Sequence, residues 1–278
     1  MVNISFDTSA LFYPEKLRHL SARPDVFLHG STINVIETVS DVIDEDTFLK
    51  ARAQMRLLLE VSGGRFLADT DTQFKIYLGL PTVIRDPLQW RQVAVWLAEA
   101  ENVRELEFRD FDNARQMRRR HTEGWLDEVV ETMLRSMNPR IQIAPDWRSK
   151  ATAAEVEAVR HYLHSPAGIK QKLDVWFQRE RWLPFLVGSE LRSAASRVLS
   201  AYFQAHEGYL MHILGFNRKP EANDALDLDQ ALPLWQHDWV FISGDTRFLR
   251  CLELGGIDRS QFRAIGNLDP AEPLDTKP

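Results

Sequence analysis

The chain has 278 residues, with 34 basic and 40 acidic side chains and a formal charge of −6. Hydrophobic residues at 44% and charged residues at 27% describe a globular chain with a sizeable core, and exclude disorder as the main state. One cysteine, Cys251, excludes an internal disulfide framework and a Cys-based zinc site; the negative balance excludes a surface coated for non-specific nucleic-acid binding, but not a local basic groove.

The first segment reads as a strand. Val2, Ile4 and Phe6 are apolar and β-prone, and the run stops at Asp7-Thr8-Ser9. Residues 15–21 read as helix, and Val26-Phe27-Leu28 as a short buried strand. Ser31 or Thr32 caps the next helix, in which Ile33, Ile36, Val39 and Ile43 recur at helical spacing. Residues 46–61 form another helix, closed by Ser62-Gly63-Gly64. Two short βα-like units at the start predict a parallel sheet covered by helices.

From about residue 85 to 215 no strand pattern appears. Residues 87–100 place Trp90, Val93, Trp96 and Leu97 on one helical face. Residues 103–137 and 152–164 are helical by composition, with breaks at Asn138-Pro139 and Ser165-Pro166. Residues 189–214 carry Leu191, Ala195, Val198, Tyr202, His206 and Leu210 at three- and four-residue spacing. This stretch reads as a helical insertion, and the α/β core as discontinuous: residues 1–84 plus 216–278. After the insertion, residues 222–236 read as helix. Trp239-Val240-Phe241-Ile242 is the clearest buried strand, Thr246–Leu254 a helix, and residues 262–265 an edge strand.

No leader and no membrane span are expected. Residues 1–7 lack a basic region followed by a long apolar run, and the apolar runs 182–188 and 209–216 fall far short of roughly 20 residues. A reducing cytoplasm is the expected setting.

Two strands run into an aspartate, Asp7 and Asp245. In open parallel sheets, ligands bind beyond the carboxyl ends of the strands. Each Asp alone is equally well read as a helix cap. Glu37 lies on a largely apolar helix, where a solvent-facing glutamate is the plainer reading. Glu221, Asp224, Asp227 and Asp229 crowd one helix start; a first-turn dipole effect accounts for Asp224 but not for the two deeper acids. Converging carboxylates suit a hard cation such as Mg2+ or Mn2+, which activates water and steadies phosphate charge.

The ordered set resembles a PIN-domain ribonuclease. It consists of Asp7 in Ser5-Phe6-Asp7-Thr8-Ser9, Glu37 in Asn34-Val35-Ile36-Glu37, Asp227 in Asn223-Asp224-Ala225-Leu226-Asp227-Leu228, and Asp245 in Phe241-Ile242-Ser243-Gly244-Asp245-Thr246-Arg247-Phe248. The resemblance implies a PIN-like three-layer α/β/α sandwich with a central parallel sheet, here interrupted by a mainly α-helical insertion. It also implies that Asp7, Glu37, Asp227 and Asp245 bind Mg2+ or Mn2+ and cut single-stranded RNA. It covers residues 1–45 and 220–267 at most, under half the chain, and small members of that family lack such an insertion. Asp224 and Asp229 stay open as the third acid.

Thr8, Ser9, Ser243 and Thr246 are candidates for orienting the acids, with helix capping the plainer role. Arg118, Arg119 and Arg120, and Lys170 and Lys172 beside Trp176 and Trp182, form a candidate RNA-contacting surface; a solvated helix face is the bland alternative. RNA is the implied partner, and a homodimer or a protein inhibitor stays open. Zincin, phosphate-loop and Ser-elbow motifs are absent. Two rivals remain. One is a haloacid-dehalogenase-like phosphatase, weakened because Ser9 stands where that family needs a second Asp. The other is a non-catalytic α/β scaffold whose insertion binds a protein partner.

The charge is unevenly spread. Residues 85–215 carry 19 basic and 18 acidic side chains, and the remainder carries 15 and 22. The negative excess therefore lies in the proposed α/β core.

Overall fold

A computed structural model describes residues 1–80, 86–106, 115, 116, 118, 189–216, 224–269 and 271–274. Most of the expected helical segments 103–137 and 152–164 lie outside these residues, as do Arg119, Arg120, Lys170, Lys172, Trp176 and Trp182.

Five strands form one all-parallel sheet: β1 (Val2–Phe6), β2 (Val26–Ser31), β3 (Phe66–Leu67), β4 (Trp239–Ser243) and β5 (Phe262–Ala264). Their spatial order is β3-β2-β1-β4-β5. The chain builds outward from β1 to β2 and β3, then returns to lay β4 on the other side of β1. The gap between the carboxyl ends of β1 and β4 is therefore the topological switch point, the place where an open parallel sheet offers a crevice.

Alternation along the strands explains why helices cover both faces. On one face, Ile4, Phe6, Leu28, Val240 and Ile242 join an apolar cluster with four helices. These are α1 (Pro14–Ser21), α2 (Thr32–Ser40), α3 (Glu45–Ser62) and α5 (Asp86–Glu99). On the other face, Trp239, Phe241 and Phe262 join Ala201, Ala205, Tyr209, Leu228, Phe248 and Leu252. Those partners come from α7 (Ser200–Phe216), α8 (Asp224–Asp229) and α9 (Thr246–Leu254). A sheet with both faces apolar must be buried on both, and the outcome is a three-layer α/β/α arrangement. Helices α4 (Thr70–Tyr77) and α6 (Ser189–Val198) add Phe74, Ala195 and Val198 to a third cluster with Tyr202 and Leu232.

Helices α5 and α6, and all of α7 but Phe216, fall within the stretch 85–215, and buried residues of each belong to the clusters that enclose the sheet or border it. The contact between α7 and α9 is close. A Cβ on Gly208 would meet the Cys251 carbonyl oxygen at 1.8 Å, and one on Gly255 would meet the Gln204 carbonyl oxygen at 1.9 Å. The two backbones touch because neither position carries a side chain.

Several local readings differ from the structure. Helix α2 ends at Ser40, so Ile43 is 76% exposed and not part of its apolar face. Trp96 is exposed, because it sits about 100° around the helix from the buried Leu97. The helix expected over 222–236 is short: Asp224–Asp229, followed by a 3-10 turn at Leu232–Trp235. Pro233, with no N–H to donate, suits that tighter turn and not a continuing α-helix. Within 103–137, residues Val103–Leu106 form a 3-10 turn. The short strand Phe66–Leu67 and helix α4 carried too little periodicity to be read in advance.

Candidate active site at the switch point

Asp7 follows β1 directly. It is 3% exposed and caps the turn Thr8–Phe12, accepting from the Ala10 amide at 3.0 Å. The Ser9 hydroxyl donates to its Oδ1 at 2.6 Å, and the Ser243 hydroxyl donates to its Oδ2. Burial pushes the Asp7 carboxyl up to about 6, with the Asp245 charge adding to the effect and the two hydroxyls opposing it.

Asp245 follows β4 in the same way. Its Oδ1 accepts from the Arg247 amide at 2.7 Å and the Phe248 amide at 3.3 Å, capping α9. Its Oδ2 lies 3.6 Å from the Arg247 guanidinium. Both strand-end aspartates are thus helix caps, and the capping reading of each is true alongside any other.

Ser243 and Ser9 tie the two loops together. Ser243 Oγ accepts from the Asp245 amide at 2.7 Å while it donates to Asp7. Ser9 Oγ accepts from the Gly244 amide at 2.7 Å. A Cβ on Gly244 would approach Ser9 Oγ to 2.8 Å and the Ser9 carbonyl oxygen to 3.2 Å, so glycine lets the strand ends come this close. Ser9 is the residue whose part was hardest to foresee, since its signal was only its nearness to Asp7.

Glu37 does not face solvent. Every residue of α2 from Thr32 to Val39 is buried, and Glu37 is 8% exposed. The reason is Asn34, which sequence reasoning missed as a functional position. Its Oδ1 accepts from the Ser31 amide and hydroxyl at 2.9 Å each, closing a capping box. Its Nδ2 donates to the Phe6 carbonyl at 3.0 Å, which pins the start of α2 to the end of β1. The Ser31-x-x-Asn34 spacing, a variant of the capping box, was the available signal. Glu37 Oε2 accepts from the Thr8 hydroxyl. Burial, then the Asp7 charge, raises the Glu37 carboxyl to about 7, with Thr8 and Arg118 opposing. Arg118 reaches this neighbourhood through an ion pair with Asp41 at 2.5 Å.

Asp227, on α8, is the most strongly affected. Burial raises its carboxyl well above the ordinary value, followed by the charges of Glu37, Asp7, Asp245 and Asp224. The four acids singled out from sequence therefore act on one another at the switch point. Asp224 belongs to the same field, and its carboxylate accepts from the Tyr209 hydroxyl at 2.6 Å. Asp229, the other alternate, is also buried. Cys251 is a core residue, its thiol pushed up to about 12 by burial and by these same acids.

The donor set suits a hard divalent cation in type and charge, since carboxylate oxygens are the ligands such ions prefer. Its spacing is looser. Among the described residues, no three His, Cys, Asp or Glu side chains are gathered closely enough to hold a metal ion. The oxygens are turned instead to Ser9, Ser243, Thr8 and the α9 amides. Among the described residues no helix is long and apolar enough to cross a membrane. Comparison of the chain with protein-family models, with curated proteins and with solved structures finds no match.

Proposed function

We propose that this protein hydrolyses phosphodiester bonds of single-stranded RNA at the switch point, with Mg2+ or Mn2+ as cofactor. The supporting observation is the clustering of Asp7, Glu37, Asp227 and Asp245, in which burial and neighbouring charge hold Asp7, Glu37 and Asp227 toward the protonated state. A fold gains nothing in stability from collecting buried like charges. A cation held by these four residues would neutralise them, activate a water and steady phosphate charge. RNA as the substrate rests on the ordered acids that resemble a PIN-domain ribonuclease, to which the comparisons add nothing.

The chain's own residues supply order. Ser9 and Ser243 fix both oxygens of Asp7, Thr8 fixes Glu37, and the α9 amides fix Asp245. These bonds keep the carboxylates at the strand ends, from which they would turn toward a cation as it binds. The phosphatase rival needs a general acid two residues after Asp7. Ser9 stands there, and its hydroxyl is engaged with Asp7 and the Gly244 amide.

The test is cleavage of labelled single-stranded RNA with Mg2+, with Mn2+ and with a chelator. Wild type is expected to cut with metal alone, and Asp7→Asn and Glu37→Gln to lose at least about a hundredfold, more than loss of a supporting partner costs. No cleavage by wild type with either metal, or full cleavage by both variants, removes the nuclease reading. Phosphate released from small phosphomonoesters instead favours the phosphatase.

A further inference from the structure

A cavity of about 570 Å3 opens between α9 and β5, away from the acids themselves. That volume lies within the range of small-ligand sites. Its position ties it to the switch point. Thr246, which lines it, immediately follows Asp245 in the chain. Ala264, also lining, stands in register beside Ser243. One rim of the cavity is therefore the same sheet edge that carries Asp7 and Asp245.

Its walls carry three guanidinium groups, Arg250, Arg259 and Arg263. Glu253, Asp258 and Glu272 stand against them, so the lining is balanced in number. The pairing is uneven. Arg250 and Arg259 both reach the single carboxylate of Glu253. Asp258 accepts from the amide and hydroxyl of Ser260 at 2.8 and 2.7 Å. Arg263 is half-buried, and its Nη1 donates only to the carbonyl oxygens of Arg259 and Phe262. Among the described residues it makes no ion pair, and its Nε and Nη2 donate to none of them. A partly desolvated guanidinium with a free planar fork is suited to a phosphate group.

We propose that this cavity binds backbone phosphates of the RNA strand flanking the bond to be cut, with Arg263 as the anchoring contact and Arg250 and Arg259 at the rim. The proposal rests on the nuclease reading and extends it from the site of cleavage to the path of the strand. A strand whose scissile phosphate lies beside Asp7 and Asp245 needs only to continue past Thr246 to enter the cavity.

The experiment uses the full chain carrying Asp7→Asn, which is expected to cut RNA at least about a hundredfold more slowly than wild type. Binding of a single-stranded tetranucleotide and of a dodecanucleotide is followed by fluorescence anisotropy across a range of salt. Adding Arg263→Ala is expected to weaken the dodecanucleotide about tenfold, as loss of one charge-assisted contact would. It is also expected to lower the salt slope by about 0.7, the value for one single-strand phosphate contact, and to leave the tetranucleotide unchanged. Arg263→Lys should keep most of the slope. If Arg263→Ala does not melt like its parent, the exposed Arg250→Ala replaces it. Equal binding of the dodecanucleotide with and without either substitution overturns the cavity proposal while leaving the nuclease reading standing. Failure of both RNAs to bind the parent overturns the nuclease reading and the proposal with it. An Arg263-dependent affinity for a free nucleoside monophosphate, with no such effect on the dodecanucleotide, also overturns it, in favour of a small-molecule site.

Discussion

The loops after β1 and β4 are built alike and end in different places. Each is a strand that runs into an aspartate, which then caps the following helical turn. Asp7 lies sealed under two serine hydroxyls, 3% exposed, and burial raises its proton affinity. The Asp245 side chain is 24% exposed, with a guanidinium 3.6 Å away. Capping is a matter of a few consecutive residues, so the two loops share it. The cost of a charge depends on everything packed around it, and in that they part.

The largest consequence is in the response to pH. The folded-state values of Asp7 and Glu37 lie above the ordinary ones, so the folded protein holds more protons than the unfolded chain between them. Their contribution is greatest below about pH 4 and is lost as pH rises through about 6 for Asp7 and about 7 for Glu37. The gap from 3.8 to about 6 for Asp7 corresponds to about 3 kcal/mol. Denaturant unfolding of the metal-free protein is expected to show this fall, and Asp7→Asn to flatten it. Exposed carboxylates paired with arginine, such as Asp25 and Glu60, act in the opposite direction. The difference between wild type and Asp7→Asn is therefore the decisive measure, and equal slopes would refute the burial argument. Added Mg2+ should restore stability at the high end of this range in wild type and much less in the variant, by binding the folded state.

A smaller effect probes what joins the loops. Gly244→Ala brings a methyl group to 2.8 Å from Ser9 Oγ. A loss of about 1–3 kcal/mol is expected, in line with overpacking at a site with little room. Combining it with Ser9→Ala should recover part of the loss, because the hydroxyl is the nearer of the two obstacles. Strict additivity of the two substitutions would show that the strand ends are not in contact there.

The smallest belongs to Asp245. Asp245→Ala removes a cap that serves two amides of α9, and should cost about 1 kcal/mol. Thermal melts of the variant check this, and a loss of about 3 kcal/mol or more would erase the distinction between the two strand ends.

Much of the architecture could be read from local patterns. The alternation in Val2-Asn3-Ile4-Ser5-Phe6 and the apolar run Trp239-Val240-Phe241-Ile242 mark β1 and β4, and Thr246–Leu254 is a helix with the expected bounds. Phe66–Leu67 escaped because two residues make no period, and its pairing with Gly30 and Ser31 is what makes it a strand. For the acids, the sequence supplied order but not environment. By spacing alone Glu37 is an ordinary surface glutamate, but Asn34 pins the start of α2 to Phe6 and the helix is buried from Thr32 to Val39. Likewise no spacing in the sequence shows that Asp227 feels Glu37, Asp7, Asp245 and Asp224 together.

By itself, the sequence determined the period of each strong element, the caps at Asp7, Ser31 and Asp245, and the crowding of acids into the α/β portion. These follow from interactions that span a few residues. Only the tertiary structure decided that β4 lies beside β1, because pairing of strands more than two hundred residues apart leaves no local trace. That juxtaposition seals Asp7 beneath Ser243 and sets the Arg263 cavity on the same edge. Burial and charge coupling act through space, and space is fixed only when the sheet closes.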